Sequence, residues 1–261
     1  MTEKLDIEAF TKTTFSAATR YDDNITHDVY QAGSGPVVMI IQEMPGISGQ
    51  TLRLAKKFID RGFTVVMPHL FGPLGKVSFA SNLVRTFCLR KEFHLFQNNH
   101  SSPIVDWLKA LCLQIKTEHN VKGIGVIGMC LTGNFAIALM ADENVLTAVA
   151  SQPSLPVFNR SGLQLSDDEI ENIKSRIDRL DTKSEAPLKV LRFKNDPLCS
   201  GQKLIHLQTR LNDSDIERVQ CTTLPGNGHS VLSLDFVDKQ GHPTYEALQR
   251  LLDFFERQLA H

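Results

Sequence analysis

Gly125-Val126-Ile127-Gly128-Met129-Cys130-Leu131-Thr132-Gly133-Asn134 decides how this chain is read. The run Ile124–Ile127 is short, apolar and β-branched, as a buried strand is, and Leu131–Met140 continues as an apolar helix. Between them a cysteine stands among glycines. A chain that leaves a strand and enters a helix without a loop must bend sharply, and small residues permit the bend. The bend lifts the side chain at its apex clear of both elements. A cysteine there meets a helix start, whose partial positive charge favours the thiolate, the reactive form of the thiol. The plainer alternative is a small buried hydrophobe, the fate of most free cysteines.

The same strand character returns at Val37–Ile41, Phe63–Met67, Leu146–Ala150, Leu188–Phe193 and, more weakly, Val219–Leu224. Helical spacing fills the intervals: Thr51–Arg61, Pro103–Ile115, Asp167–Arg179 after an N-cap at Ser166, Gly201–Leu211 and Tyr245–Gln258. Strand alternating with helix predicts the α/β class, with a mostly parallel central sheet flanked by helices on both faces. The 261 residues contain 42% hydrophobic and 22% charged side chains, enough for one sizeable core. No repeat and no Pro/Gly/Ser-rich linker divides them, so residues 1–261 are expected to form a single domain.

With 28 Lys+Arg against 29 Asp+Glu the net charge is −1, so there is no basic excess to neutralise nucleic acid or a membrane surface, and a small-molecule partner is expected. The five cysteines are odd in number, scattered and without a CxxC, which argues against a disulfide framework and a Cys-ligated zinc site. No metal or other cofactor is expected. The N-terminal MTEKLDIEAF lacks the apolar run of a secretory signal, and a reducing, cytoplasmic address is the expectation. The longest uncharged stretch, Gly123–Ala141, carries four glycines, Thr132 and Asn134, so it reads as buried strand, turn and helix rather than as a membrane span.

Ligands of parallel sheets bind beyond the carboxyl ends of the strands. Four such ends are informative: Gln42-Glu43-Met44-Pro45-Gly46, Gly128 to Gly133, Lys194-Asn195-Asp196-Pro197, and Pro225-Gly226-Asn227-Gly228-His229-Ser230. Cys130, Asp196 and His229 follow one another in the order nucleophile, acid, histidine, which is the order of a parallel sheet whose nucleophile sits on a strand-to-helix elbow. Pro197 interrupts regular pairing and leaves the Asp196 carboxylate on a turn, and the glycines around His229 let an imidazole return over the sheet. None of the eight other histidines combines such a loop with that order. Glu43 directly after the first core strand is unusual, because an unpaired buried carboxylate is expensive. The usual elbow has glycine two places after its nucleophile; this chain has Thr132.

These motifs resemble the dienelactone hydrolase family of α/β hydrolases. QEMPGISG is similar to the family's QE-x-x-G segment, RGFTVVMPHLFG to its GYxVxxPDLY segment, and GMCLTG, NDPL and GNGHSV follow in family order over most of the chain. The resemblance implies an α/β-hydrolase fold and a carboxylic ester or lactone hydrolase acting on a small molecule. It implies Cys130 as nucleophile, His229 as base, Asp196 as orienting acid, and Glu43 as the carboxylate that contacts the resting thiol. It also implies an oxyanion hole made by the backbone amides of Leu131 and Met44.

One position departs from the family. Its name-giving enzyme has an arginine four residues after the histidine to hold a carboxylate, and this chain has Ser233. Arg85 and Arg90 are the candidates to replace it, although at their spacing they also suit a solvated helix face. Residues 72–102 and 153–187 are long enough to cover a pocket or to decorate an edge. The oligomer expected is a monomer or homodimer. Two rival classes remain open at this level: a non-hydrolytic thiol redox sensor using Cys130 with a resolving cysteine, and a catalytically silent small-molecule-binding homologue.

Overall fold

The computed structural model describes residues 6–20, 24–72, 74, 103–155, 162–163, 165–180 and 185–260. Its strands are β1 (Thr11–Ala18), β2 (Asn24–Gly33), β3 (Val37–Ile41), β4 (Thr64–Pro68), β5 (Ile124–Met129), β6 (Val145–Ser151), β7 (Leu188–Phe193) and β8 (Val219–Leu224). Its α-helices are α1 (Gly49–Asp60), α2 (Pro103–Glu118), α3 (Gly133–Leu139), α4 (Asp167–Asp178), α5 (Gly201–Leu211) and α6 (Pro243–Leu259). The strands form one eight-stranded sheet in the order β1-β2-β4-β3-β5-β6-β7-β8. From β4 to β8 every pairing is parallel, while β1 and β2 join antiparallel at one edge. The expected class and the mostly parallel sheet are therefore present.

The central strands read as unbroken apolar runs because both their faces are covered. Every residue of β3 is buried; Val37, Met39 and Ile41 pack with helices α2 to α5, and Val38 and Ile40 with α1 and α6. Helix starts follow local chemistry. Ser48 closes a capping box with Thr51 at α1, Ser166 does so with Glu169 at α4, and Pro243 sits in the first turn of α6.

The sequence reading missed β1 and β2. The first half of β1, Thr11-Lys12-Thr13-Thr14, is exposed, so it lacks the apolar signal of a core strand. It is held by pairing with β2 and by Phe15, whose ring packs 5.3 Å from that of Trp107 on α2.

Within the segment 153–187, helix α4 buries Ile170, Ile173 and Ile177 in the core, and Arg176 donates to the carbonyls of Asp142, Glu143 and Val145 at the amino end of β6; residues 156–161, 164 and 181–184 lie outside the described residues. The helix is a crossover between β6 and β7, shaped by its own apolar stripe. Apart from Gly72 and Leu74, the segment 72–102 lies outside the described residues, and so do Arg85 and Arg90.

Candidate active site

In-register parallel pairing sets the carboxyl ends of β3, β5, β6, β7 and β8 side by side: Ile41 opposite Gly128, Met129 opposite Ser151, Ser151 opposite Leu191, and Phe193 opposite Leu224. Residues just beyond these ends converge for that reason.

Cys130 follows β5 with φ +57°, a left-handed conformation that costs a non-glycine residue about 1–3 kcal/mol. A short 3-10 turn, Cys130–Thr132, leads from it into α3. The bend is so tight that a Cβ on Gly128 would stand 2.1 Å from the Thr132 carbonyl oxygen, so glycine is required there. Thr132 itself is in the right-handed helical region (φ −77°, ψ −10°) and needs no glycine. Its buried hydroxyl accepts from the Met129 amide at 2.9 Å and lies 3.1 and 3.0 Å from the Ile41 and Gln42 carbonyls. The departure from the usual elbow is thus a tether between the elbow and the end of β3.

Asp196 and His229 meet across 33 residues: both carboxylate oxygens lie 2.9 Å from Nδ1 of the imidazole. The amides of Leu198 and Cys199 donate to Asp196 Oδ1 and set the carboxylate's direction. Asp235, which the sequence reading did not single out, holds the histidine loop by accepting from the amides of His229 and Ser230. Burial alone would lower the imidazole pKa. Hydrogen bonding to Asp196, with the closeness of the Cys130 sulfur and the charge of the Asp196 carboxylate, outweighs burial and pushes it up to about 10. Nε2 is enclosed without a hydrogen bond of regular geometry, so its link to the sulfur is one of charge and closeness. Such bonds are often poorly aligned before substrate binds.

Glu43 is buried, as expected, but no hydrogen bond joins it to the Cys130 thiol. It accepts from Ser233 Oγ, from Ser230 Oγ at 3.0 Å and from the Gln152 side-chain amide at 3.2 Å. Burial pushes its carboxyl above the usual range, and these hydroxyls, the charge of His229 and the Gln152 amide draw it back. Its hydrogen bonds run to the histidine loop and to Gln152. Ser233 is enclosed, with its hydroxyl committed to Glu43.

The sulfur's neighbour is Ser154, beyond β6, whose hydroxyl lies 3.2 Å away. Ser154 and Gln152, a buried residue at φ +40°, gave no motif in sequence; only their place at a strand end hinted at them. The amide of Leu131 belongs to the first turn after Cys130, where amides have no intrahelical partner. Met44 follows two residues after Gln42, whose carbonyl the Thr132 tether holds, which brings the elements of both amides together.

Among the described residues no cysteine suits the role of a resolving thiol for a redox sensor; Cys88 lies outside them. Burial pushes the Cys112 thiol well up, and the Cys199 and Cys221 thiols to about 12. Among the described residues no His/Cys/Asp/Glu cluster fit to hold a metal ion is present, and no helix is long and apolar enough to cross a membrane.

Similar folds are found among solved structures. An esterase from Pyrococcus furiosus is 16% identical with a TM-score of 0.60, the alignment covering 96% of this chain and 94% of that one. A cold-adapted esterase from an Arctic intertidal metagenomic library is 15% identical with a TM-score of 0.61, covering 96% of this chain and 95% of that one. Identity this low shows the fold alone. Among curated proteins nothing matches. The model of the dienelactone hydrolase family matches residues 26–259, a span that holds the elbow, the aspartate and the histidine loop together with Glu43, and the chain accordingly belongs to that family.

Proposed function

We propose that this carboxylic ester hydrolase cleaves a small ester or lactone through a thioester on Cys130. The observation that carries the reading is the pairing of His229 with Asp196 at 2.9 Å beside a cysteine held at φ +57° on the elbow. An imidazole whose charged form is favoured has as its natural partner a thiolate. The sulfur attacks the ester carbonyl carbon, and the carbonyl electron pair moves to oxygen, where the amides of Leu131 and Met44 are the candidate donors. Collapse of this intermediate breaks the carbon–oxygen ester bond, and the leaving alkoxide takes the proton from His229. Water then attacks the thioester, giving its proton to His229; release of the acid regenerates the pair.

The enclosure of Ser233 and its bond to Glu43 leave no arginine at that position for a carboxylate, which favours uncharged esters over carboxylated ones. The cysteines among the described residues are unpaired, which suits a reducing, cytoplasmic address, and strands from both ends of the chain joining one sheet suit a single domain.

Mass spectrometry of enzyme quenched during turnover of an activated neutral ester tests the reading. An acyl group on the Cys130 peptide, absent together with turnover from Cys130→Ala, is expected. Full turnover by Cys130→Ala overturns it.

A further inference from the structure

Lys203 takes no part in the chemistry above, yet it stands among the groups that do. It lies in the first turn of α5, is 2% exposed and ranks among the largest fully enclosed side chains. Its ammonium donates to two backbone carbonyls, Pro153 O at 3.2 Å and Leu155 O at 2.8 Å; among the described residues no carboxylate forms an ion pair with it. Several costs meet here. A buried cation without a counter-ion loses hydration that carbonyls only partly replace. A lysine in the first turn of a helix also faces the positive end of the helix dipole. Burial drives its pKa down, while Cys199, Asp196 and Cys130 draw it back. A residue pointing to solvent would avoid all of this.

The segment that this ammonium grips is the one that touches the thiol. Ser154 stands between the two carbonyls, with its hydroxyl 3.2 Å from the Cys130 sulfur and its amide donating to the Cys130 carbonyl at 3.2 Å. Its hydroxyl has no other hydrogen-bond partner among the described residues. Asn134 on α3 holds the same segment from the other side, donating to the Leu155 carbonyl and accepting from the Leu155 amide.

We propose that Lys203 is a positioning residue for the thiol: its buried ammonium clamps Pro153–Leu155 so that the Ser154 hydroxyl donates to the Cys130 sulfur, and clamp and hydroxyl together favour the thiolate. This rests on reading Cys130 as the nucleophile. The other groups bearing on the sulfur come from separate elements. His229 arrives after β8; Asp196, after β7, acts through that imidazole; Glu43, after β3, bears on His229; and Cys199, beside Lys203, stays protonated through burial. Lys203 and Ser154 are the members of this set that can be changed while acid and base remain.

Lys203→Met keeps the length of the side chain and removes its charge. The readout is the rate of iodoacetamide alkylation of Cys130 across the pH range of thiol and imidazole titration, with thermal unfolding alongside. The alkylation midpoint is expected to move up by about one pH unit, roughly tenfold slower labelling on the acid side. Ser154→Ala is expected to move it in the same direction by less, and the double variant to add little to Lys203→Met, since both act through one segment. An unchanged alkylation profile in folded Lys203→Met overturns the proposal. Should that variant not fold, Ser154→Ala decides, and a wild-type profile there overturns it equally. Alkylation reports the thiol whether or not Cys130 carries turnover; turnover by Cys130→Ala tests the nucleophile separately, so the two failures are distinguishable.

Discussion

Replacing Thr132 by valine removes one hydroxyl and almost no volume, so it isolates the tether between the elbow and the end of β3. The hydroxyl accepts from the buried Met129 amide and lies within 3.1 Å of the Ile41 and Gln42 carbonyls. Leaving that amide unsatisfied costs about 1–3 kcal/mol, and losing the donated bond about 0.5–1.5 kcal/mol more. A total of about 1.5–4.5 kcal/mol, at roughly 2–4 °C per kcal/mol for a chain of about this size, corresponds to a fall of roughly 3–18 °C in the unfolding midpoint. Turnover is expected to fall further than stability alone explains. The tether sets the segment that holds Glu43 and Met44 against the amide of Leu131, and loosening the two proposed oxyanion donors without removing either costs on the order of ten- to hundredfold. Calorimetry and hydrolysis of an activated neutral ester, each performed on Thr132→Val and on the hydroxyl-retaining Thr132→Ser, make the comparison. Thr132→Ser should stay close to wild type. A valine variant that melts and turns over like wild type would refute the tether.

On the proposed mechanism Asp196→Asn should lower turnover on the order of 10²-fold, and His229→Ala more deeply, because there one would remove the orienting charge and the other the base. A linkage measurement checks the same pair. The folded imidazole pKa is raised from 6.5 to about 10, so its stabilisation is complete below pH 6.5 and is lost as pH rises through about 10. Urea midpoints of the wild type should fall over that window by more than those of Asp196→Asn, and equal falls would remove Asp196 as the cause. Glu43→Gln keeps its size while removing a charge that bears on His229, so alkylation of Cys130 near neutral pH should slow, by up to about tenfold for one pKa unit. Faster alkylation would mean that Glu43 acts on the sulfur directly, as the sequence alone had suggested.

The strands and helices of the core were legible because each repeats a local pattern. VVMII at β3 is apolar at every position since both faces of a central parallel strand are covered, and Gly128 and Gly133 around Cys130 announce a bend that only small residues allow. Chain order then aligned Cys130, Asp196 and His229, because parallel strands present their ends at one edge whatever the lengths between them. What stayed hidden is what long-range contact decides. β1 is held at the sheet edge by its partner rather than by an apolar pattern of its own. Glu43 looked like a partner for the thiol because the two follow neighbouring strands. The tertiary structure gives it to Ser230 and Ser233, 187 and 190 residues further along, and gives the sulfur to Ser154. Adjacent strand ends settle which residues share a neighbourhood; side-chain direction and hydrogen-bond competition within it settle which of them touch, and no local pattern carries that information. Lys203 shows the same limit: in sequence it is an ordinary charged residue in a helix's first turn, and only the packing of α5 against the segment beyond β6 makes it a buried cation.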